Sequence, residues 1–226
     1  MNNYIFSKKY NKSDIAFSLI YYIYIFLITI IYFNIVKSNL LILSNIPLLK
    51  LLINFLLVIL QLYPIFIFLA YKKQSLSTIG ININRFFLSI FKGIFYFIPI
   101  LVIRFIFLNY IFKDIIFDFN FIIYSFIQLI QIALVEEIIF RGFLQSRFSG
   151  FMKNKFLSII IVAILFAFIH IGRNLVFDFY KFNIILFLLG FLKLFIKHIY
   201  YTYISLKTNS IFASTITHFL NNILSI

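Results

Sequence analysis

The chain contains no cysteine and only six acidic residues among its 226. The absence of cysteine excludes disulfides, thiolate metal sites and cysteine nucleophiles together. Against the few acidic residues stand 20 Lys and Arg, which give a formal net charge of +14. Such a charge often indicates nucleic-acid binding, but here the basic residues cluster in short breaks between apolar runs. That placement is typical of membrane topology signals, and we expect no nucleic-acid partner.

The rest of the chain is strongly apolar. Hydrophobic residues make up 64% of it and the mean hydropathy is +1.08, which excludes an ordinary soluble domain. A helix needs roughly 17–25 apolar residues to cross a bilayer. About seven runs have this length, at residues 15–36, 48–71, 86–112, 121–146, 156–172, 182–203 and 210–226. The sequence therefore predicts an all-α fold, a polytopic transmembrane bundle of about seven helices.

We expect one compact membrane domain overall. Its N-terminal part, residues 1–120, supplies three transmembrane helices, and residues 121–226 supply a core of four. Lys and Arg are most frequent before the first run and in the loops after the second and fourth. The alternate loops are poorer in net positive charge and contain Lys37, then Lys113, Asp114 and Asp118, then Arg173, Asp178 and Lys181. By the positive-inside rule the N-terminus is cytoplasmic and, with seven spans, the C-terminus lies outside. The composition suggests a bacterial cell membrane.

The only two glutamates are adjacent, Glu136 and Glu137, inside the fourth apolar run. One charged side chain at mid-bilayer already costs roughly 2.5 kcal/mol or more, so such residues usually serve a function. Glu137 and Arg141 are four residues apart and share a helix face, whereas Glu136 points about 100° away. One carboxylate can thus be held by the arginine while the other is left for acid–base chemistry. The alternative is a structural ion pair between helices.

Two later runs carry histidines at helical spacing. Phe166 and His170 share a face of the fifth run, although a single histidine there is more often a packing residue. In the seventh run, His218 and Asn222 are one turn apart, in line with Ser214 and next to Thr217 and Asn221. They could donate to a common oxygen, ligate a metal or position a water, and the alternative is interhelical hydrogen bonding. His198 lies near a helix end and is interpreted as interfacial.

Taken together, these motifs resemble a known family. Glu136-Glu137-x-x-x-Arg141, Phe166-x-x-x-His170 and His218-x-x-x-Asn222, in this order and each in a predicted spanning helix, resemble the signature of the CPBP intramembrane proteases. That family includes the CAAX prenyl endopeptidases of the Rce1 type and bacterial relatives linked to bacteriocin processing or immunity. The resemblance covers roughly residues 121–226.

The resemblance implies roles for these residues. Glu136 and His170 would activate a water for attack on a peptide carbonyl, and His218 and Asn222 would stabilise the oxyanion. Glu137, Arg141 and Phe166 would support them. No cofactor is required in this mechanism. A metalloprotease using Zn²⁺ or another divalent metal stays open, with Glu136, His170 and His218 as ligands, although the contiguous His-Glu-x-x-His pattern is absent.

Besides the lipid bilayer, the expected partner is a membrane-associated or lipidated peptide substrate. The alternative is a non-catalytic membrane protein of the bacteriocin self-immunity type on the same scaffold. An ion-coupled transporter is disfavoured because no internal repeat is visible.

Two features depart from the family pattern. Asn209 stands where the family usually has glycine, and since asparagine tolerates positive φ we expect the turn to be kept. The chain ends four residues after Asn222, which leaves the last helix short and could loosen the placement of Asn222.

Overall fold

The computed structural model describes residues 8–38, 47–108, 119–177 and 183–224, and all regular elements in these ranges are helical. Within these ranges, seven helices follow one another, besides two short 3₁₀ segments at Leu76–Ile79 and Ile83–Arg85. The helices are α1 Lys12–Ser38, α2 Pro47–Tyr71, α3 Phe86–Leu108, α4 at residues 119–151, α5 Lys155–Phe177, α6 Ile184–Thr208 and α7 Ile211–Ile223. The predicted all-α bundle of about seven helices is confirmed.

Five helical segments in the described ranges are long and apolar enough to cross a membrane. These segments are Lys12–Ser38, Leu51–Tyr71, Ile83–Ile106, Phe121–Phe151 and Ile184–Thr208. Of the two helices without such a segment, α5 has a shorter apolar part, Lys155–Ile171, and α7 has 13 residues. Seven spans and the orientation of the termini stay predictions. The loop residues Lys113, Asp114, Asp118, Asp178 and Lys181 lie outside the described residues.

The described residues form two compact units, each assembled from separate parts of the chain. Of these residues, the first unit contains 8, 72–108, 119–146 and 201–224, and the second contains 9–38, 47–71, 147–177 and 183–200. Within the first, α7 packs against α3 and α4. Within the second, α1 packs against α5, where the Tyr22 hydroxyl donates to the Leu165 carbonyl at 2.9 Å. The predicted division at residue 120 stays a prediction.

The backbone of α4 departs from a regular α-helix. Between α-helical ends at Phe119–Phe126 and Gln145–Phe151, it contains two π-helical stretches, Ile127–Leu134 and Glu137–Leu144. Such stretches are rare and occur frequently at functional sites. The second one carries Glu137 and Arg141, and all eight of its residues are buried. The first motif is therefore placed by an irregular helix inside the protein.

A short turn in the first unit contacts both α4 and the start of α7. The 3₁₀ segment Leu76–Ile79 ends at Gly80, which has a φ of 74°. The Gly80 carbonyl accepts from the Ile211 amide at the start of α7, at 3.0 Å. On the α4 side, a Cβ added to Gly142 would lie 2.6 Å from the Ile79 carbonyl oxygen. Glycine at position 142 thus permits a close approach of two backbones.

The turn before α7 has the predicted conformation. Asn209 has a φ of 53°, which confirms that asparagine replaces the usual glycine without loss of the turn. Ser210 then caps α7, its hydroxyl accepting from the Phe212 amide at 3.2 Å. The hydroxyls of Ser205 and Ser214 hydrogen-bond at 2.7 Å, so Ser214 takes the interhelical role that we considered as the alternative.

Candidate active site

Glu137 and Arg141 form the predicted ion pair. Glu137 Oε1 lies 3.1 Å from Arg141 Nη1, and neither side chain is exposed. A buried pair of this kind depends on further polar contacts, because both charges have left water. The structure therefore confirms that these two side chains share a face, and it places that face entirely inside the protein.

His218 supplies a further contact to Glu137. Its Nδ1 lies 3.1 Å from Glu137 Oε1. Because an ionised carboxylate only accepts, the imidazole donates from Nδ1. One carboxylate oxygen thus receives both Arg141 and His218, which brings the first and third motifs together in the first unit. Helical spacing relates His218 only to residues of its own helix, so its contact with Glu137 is not predicted by the sequence.

The other ring nitrogen of His218 faces the second glutamate. His218 Nε2 lies 3.9 Å from Glu136 Oε2, and the Glu136 side chain is 24% exposed. This separation is too long for a direct hydrogen bond, but one water could contact both atoms. The two glutamates therefore differ as expected: Glu137 is buried and held, whereas Glu136 is partly accessible.

Tyr201 is a member of this cluster that the sequence analysis missed. Its ring stacks on the His218 imidazole with centroids 4.9 Å apart, and the Arg141 guanidinium lies 5.2 Å from its centroid. Tyr201 is buried and restricts the plane of the imidazole. The chain has 15 tyrosines, so the residue type alone does not single out Tyr201.

Asn222 lies one turn beyond His218 in the same unit. Its Nδ2 donates to Gln128 Oε1 at 3.2 Å, and Gln128 Nε2 donates to the Tyr124 hydroxyl at 2.8 Å. Two side chains of α4 thus orient the amide. Neither appeared in the sequence analysis, since glutamine and tyrosine at this spacing match no motif.

Arg104 was also missed. It donates through Nη2 to the Asn221 side-chain oxygen at 3.2 Å. A signal was present, because an ionisable residue inside an apolar spanning run is itself a reason to suspect a functional contact.

Phe166 and His170 belong to the second unit. His170 Nδ1 lies 2.8 Å from the Phe166 carbonyl oxygen and therefore donates to it, and the two rings are 4.7 Å apart. His198 is 5.4 Å from the Phe166 ring and fully buried. This corrects our interpretation of His198 as an interfacial residue. The joint role of His170 and Glu136 stays a prediction.

The arrangement of His218 and Glu137 can also be compared with that of a metal site. A histidine whose Nδ1 donates to a carboxylate, as His218 does to Glu137, has the orientation common to metal ligands and to acid–base histidines. Among the described residues there is no group of three or more His, Asp and Glu side chains arranged to hold a metal.

Comparison with known proteins identifies the C-terminal half. The family model described as type II CAAX prenyl endopeptidase Rce1-like matches residues 118–224. No curated protein and no solved structure matches the chain. The matched segment contains the three motifs and agrees with the resemblance seen in the sequence. With its apolar helices, this is an integral membrane protein whose residues 118–224 match the family of the Rce1-like type II CAAX prenyl endopeptidases.

Proposed function

We propose that the protein is an intramembrane endopeptidase that hydrolyses peptide bonds of membrane-associated or lipidated peptides. The observation that carries this proposal is the unequal pair of glutamates. Glu137 is buried against Arg141, while Glu136 is partly exposed and lies 3.9 Å from His218 Nε2. General-base activation of water needs a positioned carboxylate within reach of that water, and of the two glutamates the partly exposed Glu136 suits this role better.

In the proposed reaction, Glu136 accepts a proton from water as the water oxygen bonds to the peptide carbonyl carbon. The carbonyl oxygen becomes an oxyanion, which His218 and Asn222 stabilise by donating hydrogen bonds. The carbon–nitrogen bond then breaks, and Glu136 returns its proton to the leaving amine. Donors that are already oriented in a water-poor site favour this step strongly.

The charges of the cluster are consistent with this role of His218. Its Nδ1 already donates to Glu137, so donation from Nε2 as well requires the imidazolium form. Two glutamates, Arg141 and an imidazolium together carry no net charge, which limits the unfavourable energy of burying them.

His170 enters the proposal through its motif. The resemblance assigns it to water activation with Glu136. The contact of His170 Nδ1 with the Phe166 carbonyl leaves proton exchange to Nε2, which suits a base. We further propose that the mechanism is metal-independent and that the protein lies in a bacterial cell membrane with a cytoplasmic N-terminus.

Cleavage of a pooled membrane-peptide library by the purified protein in liposomes, read by mass spectrometry, tests the proposal. Wild type and Glu136→Gln run beside Asp14→Asn, a matched acid-to-amide control. Asp14 is a buried carboxylate of the second unit that accepts from the Asn11 amide at 3.0 Å. We expect cleavage by wild type and the control and none by Glu136→Gln.

The other outcomes are equally informative. Cleavage retained by folded Glu136→Gln would remove Glu136 from the chemistry. Loss of cleavage with a chelator would move Glu136, His170 and His218 into a metal site. No cleavage by wild type would favour the non-catalytic immunity function, in which Glu136→Gln keeps the protective phenotype.

A further inference from the structure

The end of α7 is held by a side chain from another helix of the same unit. Arg104 of α3 donates through Nη2 to the Asn221 carbonyl and to Asn221 Oδ1, both at 3.2 Å. Its Nη1 donates to the carbonyl of Leu224, the C-cap residue of α7. A single guanidinium thus contacts three oxygens in the last turn of the helix.

These contacts supply hydrogen-bond donors to the C-terminal end of α7. The last four carbonyls of any helix lack intrahelical donors. The planar guanidinium offers several donors in a fixed geometry, and a cation is favoured at the negative end of a helix. Arg104 therefore completes a helix whose last motif residue, Asn222, is only one residue from its end.

A second contact between the same helices lies near the start of α7. A Cβ added to Gly93 would be 2.7 Å from the Ala213 carbonyl oxygen, so α3 and α7 are in close contact there. The Thr217 hydroxyl donates to the Gly93 carbonyl at 2.9 Å. His218 follows immediately after this contact, and the Arg104 contact comes one turn later. The helix is thus attached to α3 on both sides of the imidazole.

We propose that Arg104 is a positioning residue for the last motif. It acts through the end of α7, keeping His218 beside the two glutamates and Asn222 beside Gln128. The effect of Arg104 on catalysis rests on the proposed function. Its effect on the position of His218 can be measured without any substrate. It also explains how a helix of 13 residues can place Asn222 firmly.

The test uses the reaction of histidines with diethylpyrocarbonate in the full-length protein in detergent, followed residue by residue with mass spectrometry. His218 reports on the site, and His198, fully buried in the second unit, reports on global unfolding. The variants are Arg104→Met, Arg104→Lys and the matched control Lys92→Met, which removes a charge from the same helix.

Arg104→Met removes the charged hydrogen bonds that hold the end of α7. We therefore expect His218 to become more accessible and to react about tenfold faster, while His198 reacts as in wild type. Arg104→Lys should fall between the two, and Lys92→Met should match wild type. Unchanged reactivity of His218, or equal increases at His218 and His198, would overturn the proposal.

The effect of Arg104 on catalysis is measured by the kinetics of cleavage of a substrate peptide. For Arg104→Met we expect kcat to fall about tenfold or more with little change in KM, because the donors to the oxyanion are misplaced. Loosened His218 with unchanged kcat would reduce Arg104 to a structural residue and refute the positioning role. A wild-type protein without peptidase activity would refute the proposed function instead, and the diethylpyrocarbonate comparison would still decide whether Arg104 holds the end of α7.

Discussion

Two apolar helical segments of this protein have opposite surroundings. In α2, large hydrophobic side chains are exposed along much of the helix, among them Leu52, Phe55, Leu56, Ile59, Leu60, Tyr63 and Ile67. In the π-helical stretch Glu137–Leu144, all eight residues are buried, including two that carry charge. In a soluble protein the apolar segment would be inside and the charged one outside. Here the bilayer accommodates the apolar surface and the protein interior accommodates the charges.

The comparison shows where each part of the stability comes from. The exposed side chains of α2 gain little from protein contacts, since lipid tails solvate them about as well. The motif stretch depends on matched charges, a close backbone approach and packed side chains. Mutations in the two segments should therefore change the free energy of unfolding by different amounts, and this difference can be measured.

The largest effect is expected from removal of the counter-charge in the motif stretch. Arg141→Met leaves the buried Glu137 with His218 as its remaining partner, and removing one member of a buried ion pair costs about 3–5 kcal/mol. We expect a large fall in the thermal unfolding temperature of the purified protein, measured by fluorescence in detergent.

The double variant Glu137→Gln/Arg141→Met is the control for this prediction. It removes both charges, so it should be more stable than Arg141→Met alone. If the double variant were the less stable of the two, the destabilisation would come from lost packing around Arg141, including its contact with the Tyr201 ring, and not from the uncompensated charge.

A smaller effect is expected from a single methyl group added to the same stretch. In Gly142→Ala the new Cβ would meet the Ile79 carbonyl oxygen at 2.6 Å, and such overpacking usually costs about 1–3 kcal/mol. Gly190→Ala in α6 is the matched variant, because no atom lies within 4 Å of its added Cβ. There alanine should be neutral or stabilising by up to about 1 kcal/mol. Equal unfolding temperatures for the two variants would contradict the close approach at Gly142.

The sequence was sufficient to predict the helices and the local part of the site. Hydrophobic runs locate helices because a spanning helix must be long and apolar, and four-residue spacing correctly paired Glu137 with Arg141. The conformation of Asn209 was also predictable, since few residue types tolerate positive φ. Each of these inferences depends on residues that are close together in the chain.

The missing parts depend on which helices are neighbours. Spacing along a helix does not tell which other helix faces it, so the contacts of His218 with Glu137 and of Arg104 with Asn221 were not predicted. The π-helical backbone of the first motif was not predicted either, because its amino-acid pattern differs little from that of a regular α-helix.

The smallest effect is expected from a mutation on the exposed face of α2. Leu60 in α2 is 51% exposed, whereas Leu144 in the motif stretch has no exposure. Leu144→Ala leaves a cavity and should cost about 2–5 kcal/mol. Leu60→Ala only exchanges a contact with lipid and should stay within about 0.5 kcal/mol of wild type. Unfolding temperatures of the two variants in the same lipid nanodiscs measure this difference. A fall for Leu60→Ala comparable to that for Leu144→Ala would show that the exposed face of α2 contacts protein and not lipid. The contrast between the two segments would then be limited to their charges.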